Sequence, residues 1–255
     1  MTSNSTHPQL ESRKSSGNKD STSKSCLRYA LIIPALNEAG SVGKVLSEVP
    51  RHRFQQILVV DNGSHDGTAA AAQAAGARVL LEPRRGYGQA CQAGLTALDG
   101  STDAVVFMDA DGSDDPADLE RLLAFFESGS WDLVMGSRVL GQAEQGSLTF
   151  IQQFGNALTT RLIRWIWGVR YTDLGPLRVV SREALARLRL GDPDFGWNVE
   201  MQVKAAMLGL RVAEIPVNYR RRRFGKSKIS GTLKGSLQAG IKIILTIGRC
   251  WMSGR

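Results

Sequence analysis

The strongest constraint on how this chain folds is a rhythm. Short apolar runs, each closed by Gly, Pro, Asp or Asn, alternate with stretches of helical periodicity. The runs are Tyr29–Pro34, Gln56–Val60, Arg78–Leu81, Ala104–Met108 and Asp132–Met135. Between them, Val42, Val45, Leu46 and Val49 recur at helical spacing, an Ala-rich stretch runs to Ala75, and a third helical pattern ends near Leu98. After the fourth run, Asp115 and Pro116 have the chemistry of an N-cap and a first helical residue, and Asp66 is placed to cap the helix after the second run. Strands alternating with helices imply parallel pairing with helices on both faces.

In such sheets ligands sit beyond the carboxyl ends of the strands. Glu38, Asp61, Asp109 and Asp111 all fall at or just after such ends. If the fourth strand stays extended through Asp111, side-chain alternation puts Asp109 and Asp111 on one side. Two hard anionic oxygen ligands there suit Mg²⁺ or Mn²⁺ carrying a diphosphate.

Composition narrows the partners. The chain has 255 residues and a formal charge of +8, with a pI near 9.7. That balance favours an anionic partner: a nucleotide, a nucleic acid or an anionic membrane surface. Nucleic acid is set aside, because no aromatic interleaving or binding module accompanies the basic residues. Cys26, Cys91 and Cys250 show no metal-ligand spacing and fit reduced thiols. No apolar signal core opens the chain, and no apolar run reaches the roughly 18 residues that span a bilayer. The expected location is cytoplasmic, with peripheral seating on the membrane face left open. Oligomeric state is not encoded legibly.

Residues 1–27 are rich in Ser, Thr, Asn and Lys and are expected to form a polar, disordered tail. Beyond Gly141 a long helix is expected over Leu148–Trp167, then a strand over Pro176–Val180, helices over Arg182–Leu190 and Trp197–Leu208, and a strand over Val212–Tyr219. A basic segment, Arg220–Ile229, leads into an amphipathic helix within 231–255.

Four elements stand in order: Pro34-Ala-Leu-Asn-Glu38, Val59-Val-Asp-Asn-Gly-Ser-His-Asp-Gly-Thr68, Met108-Asp-Ala-Asp-Gly112 and the basic segment. Their order and spacing resemble the family 2 glycosyltransferases, and most closely the dolichol- or polyprenyl-phosphate sugar synthases. The resemblance covers roughly residues 28–230. It implies an α/β GT-A fold, a Rossmann-like mixed sheet flanked by helices, and inverting transfer of a hexose from UDP-glucose or GDP-mannose to a polyprenyl phosphate. It also implies roles. Pro34, Ala35, Asn37, Glu38, Asp61 and Asn62 would hold the nucleotide, with Gly88, Gln89 and Ala110 beside it. Asp109 and Asp111 would hold metal and diphosphate. The segment Thr172–Arg178 resembles the acceptor loop, in which Asp173 and Arg178 would orient sugar or phosphate, or simply pair with each other. Glu200 would be a base or a helix-start acid. Arg220, Arg222, Arg223 and Lys226 would wrap a phosphate.

A phosphate acceptor is largely ionised at neutral pH and needs no strong base, whereas a hydroxyl acceptor does. Asp114, Asp115 and Glu200 are the candidates for such a base. Transfer to a soluble hydroxyl and sugar nucleotidyl transfer therefore stand as alternatives.

Overall fold

The computed structural model describes residues 27–222, Phe224 and 233–253, with side chains of the final helix from 242 to 252. Of the expected tail, 1–26 lie outside the described residues. Leu27 is already packed against the core.

The element order is β1 (Tyr29–Ala35), α1 (Val42–Glu48), β2 (Phe54–Asp61), α2 (Thr68–Ala74), β3 (Arg78–Leu81), α3 (Tyr87–Thr96), β4 (Ala104–Phe107) and α4 (Asp118–Ser128). It continues with β5 (Leu133–Ala143), α5 (Phe150–Trp167), β6 (Arg178–Ser181), α6 (Arg182–Leu188), α7 (Trp197–Met207), β7 (Val212–Tyr219) and α8 (Leu233–Ser253). A 3₁₀ turn, Arg51–Arg53, precedes β2.

The seven strands form one sheet in the order β3-β2-β1-β4-β6-β5-β7. β1 to β4 are mutually parallel, as the alternation predicts. β6 runs antiparallel to both β4 and β5 and makes the sheet mixed. Alternation along β1 explains why both faces are covered. Leu31 and Ile33 join the cluster under α1, α2 and α4, whereas Ile32 joins the cluster formed with α3 and α5 to α8. α8 packs on α5 and α7 and adds Ile247 and Cys250 to that second core. Cys91 and Cys250 are buried and form no disulfide with each other.

Three details depart from expectation. β5 extends to Ala143 rather than stopping at Met135, because its second half pairs with β7. β4 ends at Phe107 and a turn begins at Ala110, so Asp109 and Asp111 do not share a face through strand alternation. Neither Asp115 nor Asp66 is an N-cap residue: those positions belong to Ala117 and Gly67. Asp115 Oδ1 instead accepts from Ala117 N–H, forming a local turn before α4. Asp66 accepts from Thr68 N–H at 3.0 Å and Ala39 N–H at 3.2 Å, tying the loop before α1 to the start of α2.

Candidate active site

The carboxyl ends of β1, β2 and β4 open into a cavity of about 400 Å³. That is a size suited to a nucleotide-scale ligand. The end of β1 supplies Pro34 and Ala35 to its lining, and the loop after it supplies Leu36 and Glu38. Asn62 comes from the end of β2, Arg85, Gly86 and Tyr87 from the turn into α3, and Asp109, Ala110 and Asp111 from the turn after β4. Asp194 and Phe195 close one side, and Arg222 reaches in from beyond β7.

Each wall is braced locally. Asn62 donates to the carbonyls of Glu82 and Arg84 and accepts from Gly86 N–H, at 2.7–3.0 Å, so the β2 turn and the α3 entrance move together. Asn37 has a left-handed φ of 52°. Its side chain accepts from His65 N–H at 2.8 Å, which fits an amide that tolerates this conformation. Asp61 accepts from Ser64 N–H at 2.8 Å. Asn37 and Asp61 support the rim without lining the cavity.

The 191–196 segment presses hard on α3. A Cβ on Gly88 would lie 2.0 Å from the Asp192 carbonyl oxygen. One on Gly86, where φ is +137°, would lie 2.2 Å from that of Pro193. Gln89 N–H donates to the same Pro193 oxygen at 2.8 Å. Gly88 and Gln89 thus seat this wall and do not line the cavity. Gly88→Ala is expected to cost about 1–3 kcal/mol by overpacking and to weaken nucleotide binding. An unfolding midpoint equal to the parent's would show that the wall yields freely.

At the floor lies a knot of charge. Arg222 donates to Glu38 Oε1 and to Asp111 Oδ2, both at 2.6 Å. Ser41 Oγ donates to Glu38 Oε2 at 2.9 Å, and the Tyr87 hydroxyl donates to Asp109 Oδ1 at 3.1 Å. Asp114 accepts from Asp109 N–H at 3.2 Å. Burial, reinforced by the charge of Asp111, pushes the Asp109 carboxyl up to about 7. Burial beside Asp109 and Asp111 raises Asp114 well above the usual range. Burial opposes the Arg222 charge, but Asp111 and Glu38 more than offset it.

The sign of the resulting pH dependence follows from linkage. The Asp109 proton is held more tightly in the folded state than in an unfolded chain, where the pKa is near 3.9. The stability it contributes is therefore present below about 4 and lost as pH rises through about 7. Asp109→Asn is expected to reduce that decline in thermal unfolding followed from pH 4 to 7. An unaltered slope would assign it to other groups.

Other expected site residues lie elsewhere. Arg178 is fully buried in β6. It does not pair with Asp173; it donates to the carbonyls of Gly175 and Asn198. Asp173 forms a bidentate pair with Arg138 instead, at 2.7 and 2.8 Å. Glu200 Oε2 accepts from Gly191 and Asp192 N–H at 2.9 and 2.7 Å, and its Oε1 lies 2.8 Å from Lys204 Nζ. Glu200 therefore braces the 191–196 wall from outside the cavity. Arg220 bonds Glu48 and Asp115 at 2.9 and 2.6 Å, on the far side of the acidic turn. Arg223 and Lys226 lie outside the described residues. Sequence reasoning missed Asp194, and it marked the segments 86–88 and 195–200 without assigning Tyr87 or Phe195 a place in the site; the approach of all three depends on long-range packing. Arg84 turns away to Glu82 at 2.9 Å, leaving Arg85 at the rim.

Residues 30–189 match the sequence model of Glycosyl transferase family 2, which is more than half of the chain. The chain belongs to glycosyltransferase family 2. An uncharacterised glycosyltransferase of Mycobacterium tuberculosis is 40% identical over 211 residues, covering 82% of this chain and 93% of that protein. A polyprenol monophosphomannose synthase of Mycolicibacterium smegmatis is 30% identical, covering 87% of this chain and 88% of its own. Among solved structures, glucosyl-3-phosphoglycerate synthase of M. tuberculosis, with Mn²⁺, UDP-glucose and phosphoglyceric acid, superposes with a TM-score of 0.73 at 23% identity. That match covers 88% of this chain and 80% of the other. The family 2 glycosyltransferase described here thus has the GT-A fold.

Proposed function

We propose that this glycosyltransferase moves a hexosyl group from a nucleoside-diphosphate sugar, UDP-glucose or GDP-mannose, to a polyprenyl phosphate with inversion. The observation that carries this reading is the charged floor of the cavity, where Asp109, Asp111, Glu38 and Arg222 meet under a nucleotide-sized space. The relative named as a polyprenol monophosphomannose synthase supports the acceptor class.

The donor set fits a divalent cation. Asp109 and Asp111 offer hard oxygens, and the fold already sets a guanidinium against that negative charge. No trio of His, Cys, Asp and Glu among the described residues encloses a metal by itself. Diphosphate oxygens would complete the coordination of Mg²⁺ or Mn²⁺. When bound, the ion would neutralise charge developing on the leaving diphosphate.

The protein's own residues supply the rest. Asn62 and the β1–α1 loop shape the nucleotide end. Arg222 is placed to pass from the carboxylates to phosphate oxygens, for which its planar fork is suited. An acceptor phosphate oxygen forms the new bond to the anomeric carbon as the bond to the diphosphate breaks, and nucleoside diphosphate leaves. No proton need be removed.

Asp194 favours a second reading, transfer to a soluble hydroxyl. It lines the cavity, and burial holds its carboxyl above the usual range, as suits a proton acceptor. Incubation with labelled UDP-glucose or GDP-mannose, Mn²⁺ and undecaprenyl phosphate, followed by solvent extraction, separates the two. Counts confined to the aqueous phase would overturn the lipid acceptor. With the lipid acceptor, Asp194→Asn is expected to change kcat by less than about threefold, whereas loss of a general base costs about 10²- to 10⁴-fold.

A further inference from the structure

Both helices that close one face of the molecule keep an apolar side turned to solvent. On α5, Phe150, Phe154, Leu158 and Trp165 recur at intervals of four, four and seven residues, opposite the buried Thr159, Thr160 and Ile163. This is one helical stripe, and its ends are open: Phe150 is 80% and Trp165 84% exposed. α8 packs on α5 and exposes Leu245, Trp251 and Met252, while Thr246, Ile247 and Cys250 face inward. Soluble monomers rarely leave such patches without an occupant.

Charge selects the occupant. Neither helix contains an Asp or Glu, and the charged residues within them are Arg161, Arg164, Lys234, Lys242 and Arg249. Two copies meeting through this face would set like charges together. Aromatic and aliphatic residues interleaved with arginine, on helices too polar to cross a bilayer, are the composition of an interfacial surface.

The face also communicates with the cavity. Arg249 and Lys242 pair with the buried Asp192, at 2.9 and 3.8 Å, and Thr246 Oγ1 donates to it at 3.2 Å. Asp192 begins the wall that carries Asp194 and Phe195 into the cavity.

We propose that the solvent face of α5 and α8 is a docking surface for an anionic membrane, which brings the cavity to a lipid-borne phosphate; its second clause rests on the lipid-acceptor reading above. The whole protein, without acceptor lipid, is floated with vesicles of phosphatidylcholine alone or containing phosphatidylglycerol. Binding to the anionic vesicles is expected to be about tenfold stronger. Phe154→Glu with Trp165→Glu, and separately Arg161→Glu with Arg164→Glu, should each weaken it by about tenfold. The first pair should keep turnover on a short, water-soluble prenyl phosphate within about twofold, since neither residue touches the cavity, but lose turnover on long-chain acceptor in vesicles.

Failure of the parent protein to float with anionic vesicles overturns the proposal. So does equal flotation of both variants and the parent. A dimer seen by light scattering and dissolved by Phe154→Glu with Trp165→Glu would also overturn it, by giving the face to a second copy. Flotation as expected with label entering only soluble acceptors would uphold the surface and reject the lipid acceptor.

Discussion

Asp111→Asn is expected to lower kcat by about 10³-fold or more, a loss of about 4 kcal/mol of transition-state stabilisation. The protein should stay folded. Asp111 lies in the turn after β4, where Oδ1 accepts from Ser113 N–H at 2.8 Å and Oδ2 from Arg222 at 2.6 Å. The amide keeps the shape and the first of these bonds but removes the charge. Arg222 retains Glu38 as a partner. Circular dichroism and the unfolding midpoint check the fold; single-turnover assays with saturating Mn²⁺ check the chemistry. Activity within about fivefold of the parent would remove the acidic pair from phosphate and metal binding.

The second large effect is on stability. Asp173→Ala is expected to cost about 3–5 kcal/mol, because it strands a buried guanidinium. The Asp173 side chain is 1% exposed and that of Arg138 is 13% exposed. Arg138 also stacks over Tyr219, 4.9 Å from the ring centroid, so the pair joins β5, the α5–β6 loop and the end of β7. Urea unfolding measures the loss. Adding Arg138→Met should restore much of it, since the double change removes the orphaned charge rather than a net attraction. A double variant as unstable as the single one would mean that packing, not charge, is what Asp173 supplies.

Local chemistry explains what could be read from the chain beforehand. The order of β1 to β4 was legible because each is a short apolar run ended by turn residues. The pairing of Asp109 with Asp111 was legible too, although the reason was wrong: a turn after Phe107, not strand pleating, brings both to the cavity. The second half of β5 was hidden because Gly136–Ala143 becomes a strand only by pairing with β7. Arg178 and Asp173 stand close in sequence, yet Asp173 takes Arg138, a choice made by tertiary packing. The same is true of Tyr87, Asp194 and Phe195, which converge through the contact of Gly86 and Gly88 with Asp192 and Pro193.

The ionic bridge across the cavity floor has a consequence for how the enzyme matures. Its acidic half is synthesised before its guanidinium, which comes 111 residues after Asp111. Until β7 is added, β5 is an open edge, and Asp111 lacks the guanidinium that pairs with it. A fragment cut where the match to the family's sequence model ends, at 189, would inherit both defects. It is expected to self-associate through that edge and to be catalytically silent, so catalytic competence arrives only with the closing strand.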